Sequence, residues 1–187
     1  LWVRPGHHRI GQLGGIHRFM NWQGPILTDS GGYQVFSLKD LTKVTENGVR
    51  FRSPLDGQYR TLTPEVSIEI QETLGVDMAM AFDECIEWPA ERDRVVRSTQ
   101  RTTRWLRRCM DARKNPDKTA LLGIVQGGFY EDHVEVKGVT NAQGPVSFCI
   151  VSSFRGLRRR PLTRRLTWSG APGPFFVMAQ RGEHTYA

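Results

Sequence analysis

Cysteine is scarce and scattered: Cys85, Cys109 and Cys149 are the only three, and none lies within four residues of another. An odd, dispersed set argues against a disulfide framework, and no CxxC zinc half-site exists. A reducing compartment follows as the simpler setting. Long apolar runs are missing too, as is a charged-then-apolar leader, so a cytoplasmic protein without a membrane partner is expected. Acidic residues are outnumbered, 19 against 26 basic, for a net charge of +7 and a pI near 9.8. That balance favours an anionic partner, with nucleic acid first. No GxGxxG or Walker pattern stands where it would matter, so no nucleotide cofactor is implied. The five histidines show no metal-ligand spacing, and the adjacent pair His7–His8 reads as exposed and without a role.

What is present suits a globular domain. The 187 residues are 39% hydrophobic and 24% charged, enough for one domain with a core. They fall short of the roughly 250 typical of a closed eight-stranded α/β barrel. The chain opens on Leu1 rather than methionine, which reads as a start inside a larger frame.

Residues 25–28 (PILT) form a strand candidate that ends at Asp29. Residues 43–62 carry Asn47-Gly48 and Asp56-Gly57 between β-prone pieces, the signature of antiparallel hairpins. A helix should follow, with Thr63 as N-cap, Pro64 in the first position and Glu65 at the positive end. Val66, Ile70 and Leu74 recur along it at helical spacing, and Gly75 suits its left-handed end. Residues 76–82 (VDMAMAF) make a strand ending at Asp83. A second helix spans about 89–113 until Asn115-Pro116 stops it. Residues 120–125 (ALLGIV) form a further strand ending at Gln126-Gly127. Strand, helix, strand predicts a right-handed parallel crossover and an α/β fold, either barrel or doubly wound.

Three strand ends therefore carry polar groups: Asp29 with Ser30, Asp83, and Gln126 with Gly127. In parallel α/β sheets, functional residues gather at the carboxyl ends of strands. Two carboxylates accept N–H donors, and an amide both donates and accepts. That set suits a flat heterocycle with a donor-rich edge, such as guanine. Tyr33 could stack on its ring, while Gly31 and Gly32 let backbone approach closely. Each tip taken singly also fits an ordinary turn, and Tyr33 an ordinary packing residue. On the second helix, Arg97, Arg101, Arg104 and Arg108 share a face. This reads first as a solvated basic face and second as a contact for a phosphate backbone.

The stretches LWVRPG (1–6), GGIHRFMNW (14–22), LTDSGGYQVFSL (27–38), FRSPLDG (51–57), AFDEC (81–85) and IVQGG (124–128) resemble the tRNA-guanine transglycosylases, or queuine tRNA-ribosyltransferases, of bacterial type. The resemblance covers residues 1–128. It implies a partial TIM-type (β/α)8 barrel with an antiparallel hairpin insertion. It also implies exchange of guanine for a 7-deazaguanine, queuine or its precursor, at the tRNA anticodon wobble position in queuosine formation. The family tends to form homodimers. Position by position, Asp29 matches the proton-accepting aspartate, and Ser30, Gly31 and Gly32 the base-binding loop. Tyr33 matches the stacking aromatic, while Asp83, Gln126 and Gly127 match residues at the guanine edge.

Residues 129–187 match none of the family's later motifs: the second glycine loop, the strand with the nucleophilic aspartate, and the CxCxxC-plus-histidine zinc site. No zinc is therefore expected in this chain, nor base exchange by it alone. This Arg-, Gly- and Pro-rich stretch includes GLRRRPLTRR (156–165) and reads as a disordered or frameshifted tail. The encoding DNA, read in its other two frames, would then restore the missing motifs. A basic RNA-binding arm is the rival reading of the tail. For the whole chain, the rival is a non-catalytic tRNA-binding subunit of a heterodimer.

Overall fold

The computed structural model describes residues 1–38, 41–87 and 90–124, with the backbone of 147–149. A turn at Trp2–Gly6 leads into two short helices, α1 (His7–Gln12) and α2 (Gly15–Met20). Strand β1 (Leu27–Thr28) and the short helix α3 (Gly32–Phe36) follow. Strands β2 (Thr42–Val44), β3 (Val49–Arg52) and β4 (Tyr59–Leu62) build a separate antiparallel sheet. Helix α4 (Pro64–Leu74), strand β5 (Met78–Met80), helix α5 (Arg92–Ala112) and strand β6 (Ala120–Ile124) complete the crossover. Strand β7 (Ser147–Cys149) then pairs with β6.

The fold is mixed α/β. Its main sheet is parallel, in the order β1-β5-β6-β7. Leu27 lies opposite Met78, and Met78 opposite Ala120. The hairpins form where Asn47-Gly48 and Asp56-Gly57 place their turns, with Val44 opposite Val49 and Arg52 opposite Tyr59. Thr63 caps α4 by accepting the Val66 N–H at 3.3 Å, and α4 ends at Gly75 in the left-handed region.

Three features depart from the sequence reading. The DSGGYQ segment is not all loop, since α3 begins at Gly32. β5 is shorter than the apolar run 76–82, because Ala81 and Phe82 continue past the ladder into the core. His7 is buried rather than exposed, at 9% exposure, because the first turn of α1 packs onto α4. Apart from β7, the 129–187 tail lies outside the described residues, as do Gln126, Gly127 and the expected helix start at Pro89.

One core joins α1, α2, both sheets, α4 and α5 through Ile10, Ile16, Phe51, Leu62, Ile68, Leu74 and Phe82. Phe82 and Trp105 stack with centroids 4.8 Å apart and planes 19° apart. Both rings are 0% exposed, so the end of the β5 segment is pinned to α5 one residue before Asp83. Among the described residues, no helix is long and apolar enough to cross a membrane.

Candidate functional site

The carboxyl ends of β1 and the β5 segment lie side by side, and their loops touch. Gly31 takes φ +87° at the N-cap of α3, a left-handed conformation that L side chains rarely adopt. Gly32 is buried, and a Cβ added to it would sit 2.9 Å from Asp83 Oδ1 and 3.0 Å from the Asp83 carbonyl. The two loops approach this closely only because residue 32 has no side chain. Ser30 is 5% exposed, and its Oγ accepts the Gly32 N–H at 3.3 Å. Asp83 is 6% exposed at the floor of this contact.

Asp29 and Tyr33 stand outward. Asp29 Oδ1 accepts the Ser30 N–H at 2.8 Å, and its Oδ2 accepts from Gln34 Nε2 at 3.2 Å. These bonds fix the carboxylate while it remains exposed. Tyr33 is 53% exposed and has no ring contact among the described residues. Two polar buried groups thus sit beneath an exposed carboxylate and an exposed aromatic face. A planar ligand with N–H donors on its edge could stack on the one and bond to the other.

The tips are held from behind by α4. Gln71 is 2% exposed. Its Oε1 accepts from Thr28 Oγ1 and from the Met80 N–H, each at 2.9 Å, and its Nε2 donates to the Met80 carbonyl at 2.9 Å. Met78 and Met80 face the same side of their strand. Met78 bonds to Ile26 on the β1 side, but Met80 finds the Gln71 amide there because β1 has already ended at Thr28. The side-chain amide replaces the missing strand peptide. One turn earlier, Ser67 Oγ donates to the Ser30 carbonyl at 2.8 Å. Ser67 and Gln71 stand at i, i+4 beside the Ile70/Leu74 stripe, so two polar residues edging an apolar face were the available sequence signal.

From the other side, α5 grips the DEC loop. The Phe82 N–H donates to Cys109 Sγ at 3.4 Å, and the Glu84 N–H to Thr102 Oγ1 at 3.1 Å. Glu84, 2% exposed, sits between Arg94 and Arg101, with Nη1–carboxylate distances of 2.7 Å to each. The Arg94 pair is not aligned as a hydrogen bond, leaving Oε1 with charge contact alone.

The arginine face of α5 is solvent-facing in part, but most of it is paired with acids from other elements. Arg104 meets Glu46 through two bonds of 2.6 and 2.9 Å, and Arg101 adds a third at 3.2 Å. Arg108 holds Glu65 at 2.7 and 2.8 Å and also donates to the Glu46 and Asn47 carbonyls. Hydrogen bonding from Arg104, with help from Arg101, holds the Glu46 carboxyl at about 2. Three of the four arginines fasten the β2–β3 turn and α4 to α5, while Arg104, like Arg97, stays exposed. Acids at 46, 65 and 84, distant in sequence, made these partners invisible to helical spacing.

Neither described cysteine offers a zinc site of the kind the resemblance implies. Cys109 is 0% exposed inside the core. Cys85 lies with its Sγ 3.6 Å from Asp83 Oδ2, and burial followed by the charge of Asp83 pushes its thiol far up.

The model of the queuine tRNA-ribosyltransferase family matches residues 1–143. Queuine tRNA-ribosyltransferases of Staphylococcus aureus strains JH9, JH1 and Mu3 are each 58% identical to this chain over 132 residues, 71% of this chain and 35% of theirs. The chain thus spans about a third of the length of the curated relatives it matches. With the family model covering well over half of its residues, the chain belongs to the queuine tRNA-ribosyltransferase family.

Proposed function

We propose that these residues form the guanine-recognising part of a tRNA-guanine transglycosylase, on one arc of a TIM-type barrel, acting in the cytoplasm on tRNA. The observation that carries this reading is the seating of Gly32 against Asp83, which joins two strand-end loops into one polar floor. Asp83 accepts N–H donors from the guanine edge, and Tyr33 stacks on the ring. Asp29, exposed and fixed by Ser30 and Gln34, takes up or returns the proton as the departing or incoming base changes its protonation. Gln126 and Gly127 would add an amide and a close backbone from the end of β6. The base entering in exchange is a 7-deazaguanine, which keeps the same donor edge. The attack on the ribose anomeric carbon falls to an aspartate for which residues 129–187 offer no match, so these 187 residues bind the base without exchanging it. Retention of a base pocket weighs against a purely tRNA-binding partner subunit.

Equilibrium dialysis with labelled guanine, run beside incorporation of the same label into tRNA, separates the two parts of the proposal. The expected result is retained guanine and no labelled tRNA. Absence of guanine binding would overturn the pocket. Incorporation comparable to an intact relative would overturn the assignment of the nucleophile to residues outside this chain.

A further inference from the structure

His7 and His8 open α1, and Glu69 sits in the middle of α4 against which α1 packs. His7 is 9% exposed, packed where α1 meets α4. Its nearest ring is that of His8, with centroids 3.9 Å apart and planes 37° apart. One ligand atom from each of His7, His8 and Glu69 lies within 4.8 Å of the other two.

We propose that His7, His8 and Glu69 bind one divalent transition-metal ion of the zinc class. Two imidazoles and one carboxylate are a recurrent donor set for such ions, which leaves a fourth position to water. Ligand atoms about 2.0–2.1 Å from a tetrahedral ion stand roughly 3.4 Å apart. Reaching that from separations within 4.8 Å takes a closure of at most about 1.4 Å, which rotation of the exposed His8 and Glu69 side chains supplies. The carboxylate of Glu69 offsets the positive N-terminus of α1, which by itself disfavours a cation. Along α4, Glu69 stands about 200° around the axis from both Ser67 and Gln71. The ion therefore lies on the helix face turned away from the strand tips and fastens α1 to α4 without entering the base site.

The test is a cobalt(II) titration of the purified chain followed by visible absorption, then displacement by zinc, with the thermal midpoint recorded beside it. One equivalent should bind, the midpoint should rise with zinc, and both effects should vanish together. His8→Gln and Glu69→Gln change exposed residues and should each weaken binding by more than the roughly tenfold that even an outer partner contributes. His17→Gln, at the His17–Asp77 pair of 3.0 Å, should leave it unchanged. Absence of binding up to about 1 mM, where mass action would already stabilise a bound form, overturns the proposal. So does equal affinity in His8→Gln and Glu69→Gln, or an equal loss in His17→Gln.

Discussion

Gln71→Leu isolates the clamp behind the two strand tips, because leucine fills similar space without the amide. The Met80 N–H, the Met80 carbonyl and the Thr28 hydroxyl then lose their 2.9 Å partner, and the Ser67 carbonyl and hydroxyl lose longer 3.3 Å bonds. Thr28 is half-buried and can turn to water, so it adds little. The two Met80 groups are buried, and an orphaned buried group costs about 1–3 kcal/mol. The expected destabilisation is therefore about 2–6 kcal/mol, a large part of the roughly 5–15 kcal/mol that holds a domain together. Gln71→Glu separates the two halves of the amide. It keeps an acceptor for the Met80 N–H but turns an oxygen onto the Met80 carbonyl, so it should also destabilise. Urea unfolding followed by circular dichroism gives the numbers, and guanine affinity should fall with stability because Ser30 and Asp83 lose their common support. A Gln71→Leu protein within about 0.5 kcal/mol of the parent, the scale of an ordinary surface change, would refute the clamp.

Other outcomes follow from the same contacts. Gly32→Ala drives a Cβ against Asp83 at 2.9 Å; it should cost about 1–3 kcal/mol and weaken guanine binding by dialysis, and unchanged binding would mean the loops are not mutually seated. The carboxyl of Glu46, normally near 4.5, is held at about 2 by Arg104. Its contribution to stability is present in full above the unfolded value and lost as pH falls through the folded one. The gap in urea midpoint between the parent and Glu46→Gln should therefore narrow on acidification from about pH 6 to about pH 2.5; a gap independent of pH contradicts the clamp. Burial and Asp83 raise the Cys85 thiol, so at about pH 8, where free thiols react readily, iodoacetamide should modify it far more slowly than glutathione. Peptide mass spectrometry reads that rate, and equal rates would refute the buried environment.

The legible parts were those set by local chemistry. Thr63-Pro64 and Gly75 bound α4, the two glycine dipeptides bound the hairpins, and β1 ended where its apolar run met Asp29, whereas β5 stopped at Met80, short of Asp83. These signals need only neighbouring residues. What stayed hidden was tertiary. Gln71 reads as one more polar helix residue until β1 stops short and leaves Met80 without a partner. The α5 arginines read as a free basic face until Glu46, Glu65 and Glu84 fold back onto them. His7 reads as surface until α4 covers it. In the site, sequence order placed Asp29 and Asp83 at strand ends, but only the missing Cβ of Gly32, seen against Asp83, explains how their loops meet.

The central claim is that Asp83 reads a donor-bearing base edge. Its most direct test is calorimetric binding of guanine and hypoxanthine to the parent chain and to Asp83→Asn. Hypoxanthine lacks only the exocyclic amino donor. The parent should prefer guanine by at least the roughly tenfold that one hydrogen bond to a charged group supplies, and Asp83→Asn should lose that preference. Equal affinity of the parent for both bases, or a preference that survives in Asp83→Asn, would contradict the account.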